Sequence, residues 1–221
     1  MRSNALLALA LAATAFLALP ATAQNASKFV AGKNYTVLSP AQATGSPSGT
    51  VEVTEIFMFG CPGCYQFEPQ LQKWLARKPA YVNFVRVPAM WEPWAPLHAR
   101  AYYTAEALGK IKDIEGPFFN EFHAKGNRLD TEAKIAAFFQ LYGVDPATFK
   151  NTFNSFSVVA KVKRAEELVK RYQAQSTPTI IVNGKYVTTG TQAGSYDAWF
   201  EVIEELAARE HNAAPAAAAS K

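Results

Sequence analysis

The sequence predicts an α/β fold interrupted by a helical insertion. Three observations carry that expectation: a strand–helix–strand pattern over residues 51–88, an almost wholly helical stretch over 89–160, and a hairpin followed by a helix over 178–209. In the first, Val51, Val53 and Glu55 alternate with Glu52, Thr54 and Ile56, and the run closes on Phe57-Met58-Phe59. A strand apolar on both faces toward its end belongs inside a sheet. Cys64, Phe67, Leu71 and Trp74 then recur at three- and four-residue spacing, one face of a helix reaching about Arg77. "YVNFVRVP", Tyr81 to Pro88, is a second strand stopped by its proline. This order favours a parallel, right-handed crossover.

Gly116-Pro117, Gly126-Asn127 and Gly143 to Pro146 are expected to break the helical stretch. A further helix carries Val158, Val162, Ala165, Val169 and Tyr172 on one stripe, with Lys163 and Glu167 four apart on the wet side. "PTIIV", Asn183-Gly184 and "KYVTT" read as a hairpin, because an Asn-Gly pair suits the left-handed backbone of a tight two-residue turn. A closing helix spans Tyr196 to Arg209 with Ser195 as its cap.

The ends bound the compartment and the class. Arg2, the small and apolar run from Ala5 to Leu19, and Ala21-Thr22-Ala23 before Gln24 form a secretory leader over residues 1–23. The run falls short of the ~20 residues a spanning helix needs, which disfavours a membrane anchor. The remaining chain is then expected in an exported compartment where disulfides persist. No later segment reads as membrane-spanning. The formal charge of +4 becomes +3 without Arg2, and acidic and basic residues are intermixed, so there is no basic stripe for nucleic acid. Residues 210–221, "EHNAAPAAAASK", read as a disordered tail.

Cys61 and Cys64 are the only cysteines among 221 residues. They stand where the strand hands over to the helix. Pro62 suits the first helical position, where a missing N–H loses nothing, and this puts Cys61 at the helix N-terminus. The free N–H groups and positive dipole end there stabilise a thiolate. Cys64, one turn in on the apolar face, is expected to be shielded, so Cys61 exchanges and Cys64 resolves the mixed disulfide. A purely structural cystine across two residues closes too short a loop to stabilise much. Zinc needs about four ligands, and His98, His123 and His211 lack finger-like spacing; the first two read as surface or satisfied polar residues. Pro178, just before a strand expected to be central, is either a trans proline at the strand's first residue or follows a cis Thr177-Pro178 bond.

CxxC at the start of the first helix, a long helical insertion, and T-P-T before a hairpin together resemble the thioredoxin superfamily. The segments "EIFMFGCPGCYQFEP", "LHARAYYTAEALGK", "NSFSV" and "VNGKY" resemble its DsbA family of periplasmic thiol–disulfide oxidoreductases in particular. The resemblance implies a thioredoxin-like fold in two parts, 24–88 and 161–209, around a helical insertion at 89–160. It implies an oxidase that passes its disulfide to reduced, unfolded exported proteins and is reoxidised by a DsbB-type quinone-linked membrane oxidase. It also implies a cis Pro178 that, with Thr177, faces the cysteines and contacts substrate backbone. Neither metal nor cofactor is expected beyond the two thiols, and the protein is expected to be a monomer.

Glu55, six residues before Cys61, falls at the position of the family's buried acid. On an apolar face its pKa should rise and it could exchange protons with Cys64; the alternative is a surface glutamate. Arg86 stands about where the family has a lysine near that acid. Pro62 and Gly63 are the positions that tune the thiols, and Gly63 departs from the histidine of well-known members, leaving the helix end and backbone amides to support the thiolate. Trp91 and Trp94 are expected to seat the insertion on the core rather than line a groove. The competing functions are a reductase or isomerase on the same fold, and a peptide-binding chaperone with an inert cystine.

Overall fold

The computed structural model describes residues 27–213. The expected leader and residues 214–221 lie outside the described residues. Strands β1 (Thr36–Val37), β2 (Val51–Phe57), β3 (Val82–Pro88), β4 (Thr179–Val182) and β5 (Tyr186–Thr189) form one sheet in the order β1-β5-β4-β2-β3. β2 and β3 are parallel, with Glu55 opposite Arg86, and the other pairs are antiparallel. As its composition requires, β2 is buried from end to end between β3 and β4. β4 is the central strand. β1 went unread in the sequence because two residues cannot display an alternation.

Helix α1 (Pro62–Leu75) and the last helix, α8 (Tyr196–Ala213), share one core layer, in which Phe67 and Trp74 stack on Phe200 with ring centroids 5.5 and 5.6 Å apart. The other layer contains α2 (Ala95–Ala107), α3 (Ile111–His123), α4 (Glu132–Gln140), α5 (Pro146–Phe153) and α6 (Phe156–Arg171), packed around Phe57, Phe59, Phe118, Phe119 and Phe139. A short helix, α7 (Gly190–Ala193), follows β5 behind a Thr189–Gln192 capping box.

Several boundaries differ from expectation. Gly116-Pro117 does not break the chain but lies inside α3; the break falls at Gly109, whose φ of +67° lets Lys110 N–H reach back to the Ala105 carbonyl. A mid-helix proline costs about 3 kcal/mol. Burying Ile114, Phe118 and Phe119 on that helix offsets it, at about 1.5–3 kcal/mol per side chain. A domain boundary at 160 divides α6, a single unbroken helix whose Val158, Ala165 and Val169 belong to the insertion's core layer. Glu167 pairs with Arg171 rather than Lys163. The tail does not begin at 210. α8 continues to Ala213 because the Glu210 carboxylate accepts hydrogen bonds of 2.9 Å from Asn183, Lys185 and the Tyr186 hydroxyl, while His211 stacks on Tyr81.

The Asn183-Gly184 turn has φ values of +52° and +63°, the left-handed backbone that the pair was expected to supply. Gly184 is also pressed against the N-terminal arm: it accepts from Gln42 N–H at 2.8 Å, and a Cβ there would lie 2.0 Å from the Gln42 carbonyl oxygen. Gly184→Ala therefore combines a left-handed alanine with a backbone clash. It should lower stability by about 2 to 4 kcal/mol in chemical denaturation, whereas a loss within about 0.5 kcal/mol would mean that the arm moves away freely.

Candidate active site

The redox pair is built by the exit from β2. After Phe57 the chain turns through Met58-Phe59-Gly60, with Cys61 N–H donating to the Met58 carbonyl at 3.1 Å, and α1 starts at once with Pro62 in its first position. Cys61 is the N-cap. Its extended backbone (φ −82°, ψ 118°) aims the sulfur at the free end of the helix, and Sγ accepts from Cys64 N–H at 3.4 Å. This is the bond a serine or aspartate cap would make, here made by a thiol. Both cysteines are reduced; Cys61 is partly open to solvent and Cys64 is 1% exposed.

The two thiols are held in opposite states. Hydrogen bonding from the Cys64 side chain, with further bonds from Thr177 and the Cys64 and Gly63 amides, outweighs partial burial and brings Cys61 down to about 5 from 9.0. Burial, reinforced by the bond to Cys61 and the charge of Glu55, pushes Cys64 well above its usual range. At neutral pH one thiolate and one thiol coexist, as the helix-end argument requires.

Across from them lies the loop before β4. The Thr177-Pro178 bond is cis, and Cys61 Sγ lies 3.2 Å from the Thr177 carbonyl oxygen, to which the sulfur donates only when it is protonated. Gly63 fits against the same loop: a Cβ on it would meet Pro178 Cδ at 3.3 Å and Cys61 Sγ at 3.7 Å. Cys61 and Gly63 thus meet Thr177 and Pro178, far away in sequence, at one surface, with Cys64 sealed beneath it and Pro62 opening the helix.

Glu55 lies in the sheet below, 1% exposed, which removes the surface-acid alternative. Arg86 faces it from β3, its Nε donating to the Glu55 carboxylate at 2.6 Å, so the cation expected there is present as arginine. The sequence reading missed two further partners of Arg86: Glu68 on α1, and Glu115 on α3 at 2.5 Å. Glu68 sits one turn beyond Cys64, but nothing in "DIEGPFF" marks Glu115. One buried cation thus serves three carboxylates. Burial is the main cause that raises Glu55 to about 7, with Arg86 opposing it and Glu68 and Glu115 adding to it. A cavity of about 890 Å³, lined in part by Glu68, Arg86 and Glu115, opens beside the cluster.

The insertion reaches the redox turn from the other side. Trp94 packs on Gly60, where a Cβ would lie 2.0 Å from its ring, and so seats the insertion as expected. Trp91 does not; it is 44% exposed. His98 is neither a surface residue nor a fully satisfied one: it is buried among Trp94, Phe118 and Phe122 with Nε2 2.8 Å from the Arg128 carbonyl, while its buried Nδ1 has no hydrogen-bond partner. Burial lowers it to about 4. Among the described residues, no three His, Cys, Asp or Glu side chains gather as metal ligands.

With this geometry, comparison with known proteins is specific. Residues 84–197 match the family model of the DSBA-like thioredoxin domain. The thiol:disulfide interchange protein DsbA of Pseudomonas syringae pv. tomato is 37% identical over 197 residues, which cover 89% of this chain and 91% of that protein. Its namesake from Pseudomonas aeruginosa is 35% identical, over 87% and 90% of the two chains. A crystal structure of Pseudomonas aeruginosa DsbA superposes with a TM-score of 0.79 at 35% identity, covering 84% of this chain and 96% of that one. The oxidoreductase DsbA from Xylella fastidiosa gives 0.77 at 32%, covering 83% and 98%.

Two outcomes follow from the thiols. A depressed folded pKa stabilises the reduced protein fully above the unfolded value, near 9, and this contribution is lost as pH falls through about 5. The stability of the reduced form relative to the oxidised form should therefore grow as pH rises from about 5 to 9, by up to about 1.4 kcal/mol per pH unit, less where solvent screens the half-open thiolate. Denaturation of both forms across pH reads this directly, since the raised Glu55 is present in both; a pH-independent gap would show that Cys61 is not ionised. In Gly63→His, the ring would project between Pro178 and Cys61. A cation there lowers an acid's pKa by about 1 to 3 units, and each unit corresponds to about 30 mV, so the reduction potential should rise by roughly 30 to 90 mV in a glutathione equilibrium.

Proposed function

The chain belongs to the DsbA family of thiol:disulfide oxidoreductases, and from that membership we propose that it is a periplasmic dithiol oxidase acting through Cys61. The observation that carries this reading is the asymmetry of the pair: a half-open sulfur at about 5 beside the Thr177-Pro178 loop, and a sealed thiol held high beneath it. A substrate thiolate attacks Cys61 Sγ of the oxidised pair, the Cys61–Cys64 bond breaks, and its electrons leave on Cys64. That sulfur takes a proton, for which Glu55, at about 7, is a donor. A second thiolate of the substrate then attacks the substrate sulfur of the mixed disulfide and releases Cys61, whose low pKa makes it a good leaving group. The substrate gains one disulfide and the protein ends as the dithiol.

Thr177 and Pro178 flank the attacked sulfur and are where an extended substrate backbone would lie. Pro62 and Gly63 carry no charge, and recognition is accordingly broad. We assign the substrates to reduced, unfolded exported proteins and reoxidation to a DsbB-type quinone-linked membrane oxidase, with the protein working as a monomer. Among the described residues no helix is long and apolar enough to cross a membrane.

Incubating the oxidised protein with a reduced, unfolded substrate should produce substrate disulfides, and Cys61→Ser should abolish this; an inert oxidised protein would leave the chaperone alternative. Glu55→Gln addresses the proton. Because the protonated fraction of Glu55 falls as pH rises through about 7, the parent-to-variant ratio of the first exchange rate should be highest below that pH and approach one above it. A flat ratio would remove Glu55 from the proton path.

A further inference from the structure

The redox turn carries an unusual liability. Cys61 N–H closes the Met58–Cys61 turn, so Phe59 and Gly60 are its two central residues. Gly60 must be glycine, because a Cβ there would lie 2.0 Å from Trp94 and 2.9 Å from Phe122. A glycine in the second central position permits both orientations of the peptide before it, since only glycine tolerates the positive φ that the flipped turn demands. The seating of the insertion thus leaves the Phe59–Gly60 peptide, immediately ahead of the exchanging cysteine, without intrinsic preference.

Helix α3 holds that peptide from outside. His123 places Nε2 2.8 Å from the Phe59 carbonyl oxygen and donates to it. Its ring stacks on Tyr65, the residue after Cys64, with centroids 4.7 Å apart and planes 11° from parallel. The Tyr65 hydroxyl in turn lies 2.9 Å from Asn120 Oδ1, one turn earlier on α3. One turn of the insertion therefore grips the CxxC segment on both flanks, by the carbonyl before it and by the ring after it. Among the described histidines, only His123 hydrogen-bonds to this turn; His98 meets the Phe59 ring edge-on and bonds to Arg128, and His211 stacks on Tyr81.

We propose that His123 is a positioning residue for the Cys61 thiolate: by its hydrogen bond to the Phe59 carbonyl it fixes the peptide orientation that leaves the sulfur seated on the N-terminus of α1. The proposal rests on Cys61 being the exchanging thiol. Releasing the carbonyl lets the peptide dipole reverse one residue before Cys61 and loosens the cap geometry, so the thiolate loses support that the helix would otherwise supply.

The test is the Cys61 titration, read from thiolate ultraviolet absorbance of the reduced full chain, which does not depend on whether the protein is an oxidase or a reductase. His123→Phe keeps the stack on Tyr65 and removes the donor. His123→Gln keeps a donor and removes the stack, and His123→Leu removes both. The Phe and Leu variants should raise the Cys61 midpoint by about half a unit to one unit, a three- to tenfold loss of thiolate below the midpoint, with the reduction potential falling by about 30 mV for each tenfold. The Gln variant should stay closer to the parent. An unchanged midpoint in Phe or Leu, or an equal shift in Gln and Phe, overturns the proposal, as does an equal loss of melting temperature in oxidised and reduced forms without any change in titration. Having two donor-free variants keeps the question decidable if one of them does not fold.

Discussion

The structure depends on a sulfur capping its own helix. Cys61 ends a strand and begins α1, so its Sγ accepts the N–H that Cys64 would otherwise leave unpaired. A neutral thiol is a poor acceptor for this purpose and a thiolate a good one; the cap is therefore stronger in the ionised form, and the fold itself selects the charge. The other parts of the site accommodate that choice. Pro62 removes a competing donor, Cys64 is sealed so that only one sulfur ionises, and the Thr177-Pro178 loop closes over the side that solvent would otherwise claim.

The Arg86 cluster obeys the opposite logic. Around the cap, charge is stabilised by aligned amides near the surface, whereas below it one guanidinium is surrounded by more acid than it can neutralise. Arginine suits this place because its fork addresses Glu55, Glu68 and Glu115 from separate nitrogens, which a lysine's single ammonium could not do in one plane. A carboxyl whose folded value is raised, as that of Glu55 is to about 7, weakens the folded state as pH climbs from 4.5 through that value. The arrangement sacrifices stability and leaves a carboxyl at about 7 within electrostatic reach of the Cys64 sulfur.

Much of this was legible in the sequence, and the limits are physical. The β2–α1 junction, the parallel β3, the Asn183-Gly184 hairpin and the placement of the two thiols, one open and one shielded, each rest on a local rule that a few adjacent residues satisfy. Glu55 and the Thr177-Pro178 loop came through resemblance, since neither burial of an acid nor a cis bond leaves a local mark. Glu115 and His123 were beyond reach as site residues. Each acquires its role from a partner across the fold, and both sit on α3, whose course was itself misjudged because Pro117 looks like an ending until the burial of its neighbours is counted. The 210–213 end was misread for the same reason: Glu210 is ordered by Asn183, Lys185 and Tyr186, which no helical periodicity announces.

The unbroken course of α6 bears on how separable the two halves are. Its first turns complete the insertion's aromatic layer, and its later turns bring the chain back toward β4, so no peptide bond between residues 156 and 171 can be cut without splitting a helix. The insertion is therefore a poor candidate for transplantation or excision as a cassette. Losing it would strip the cover from Phe57 and Phe59 and leave half a helix with no surface to pack against, so the molecule is built to melt as a single cooperative unit rather than to shed one part and retain the other.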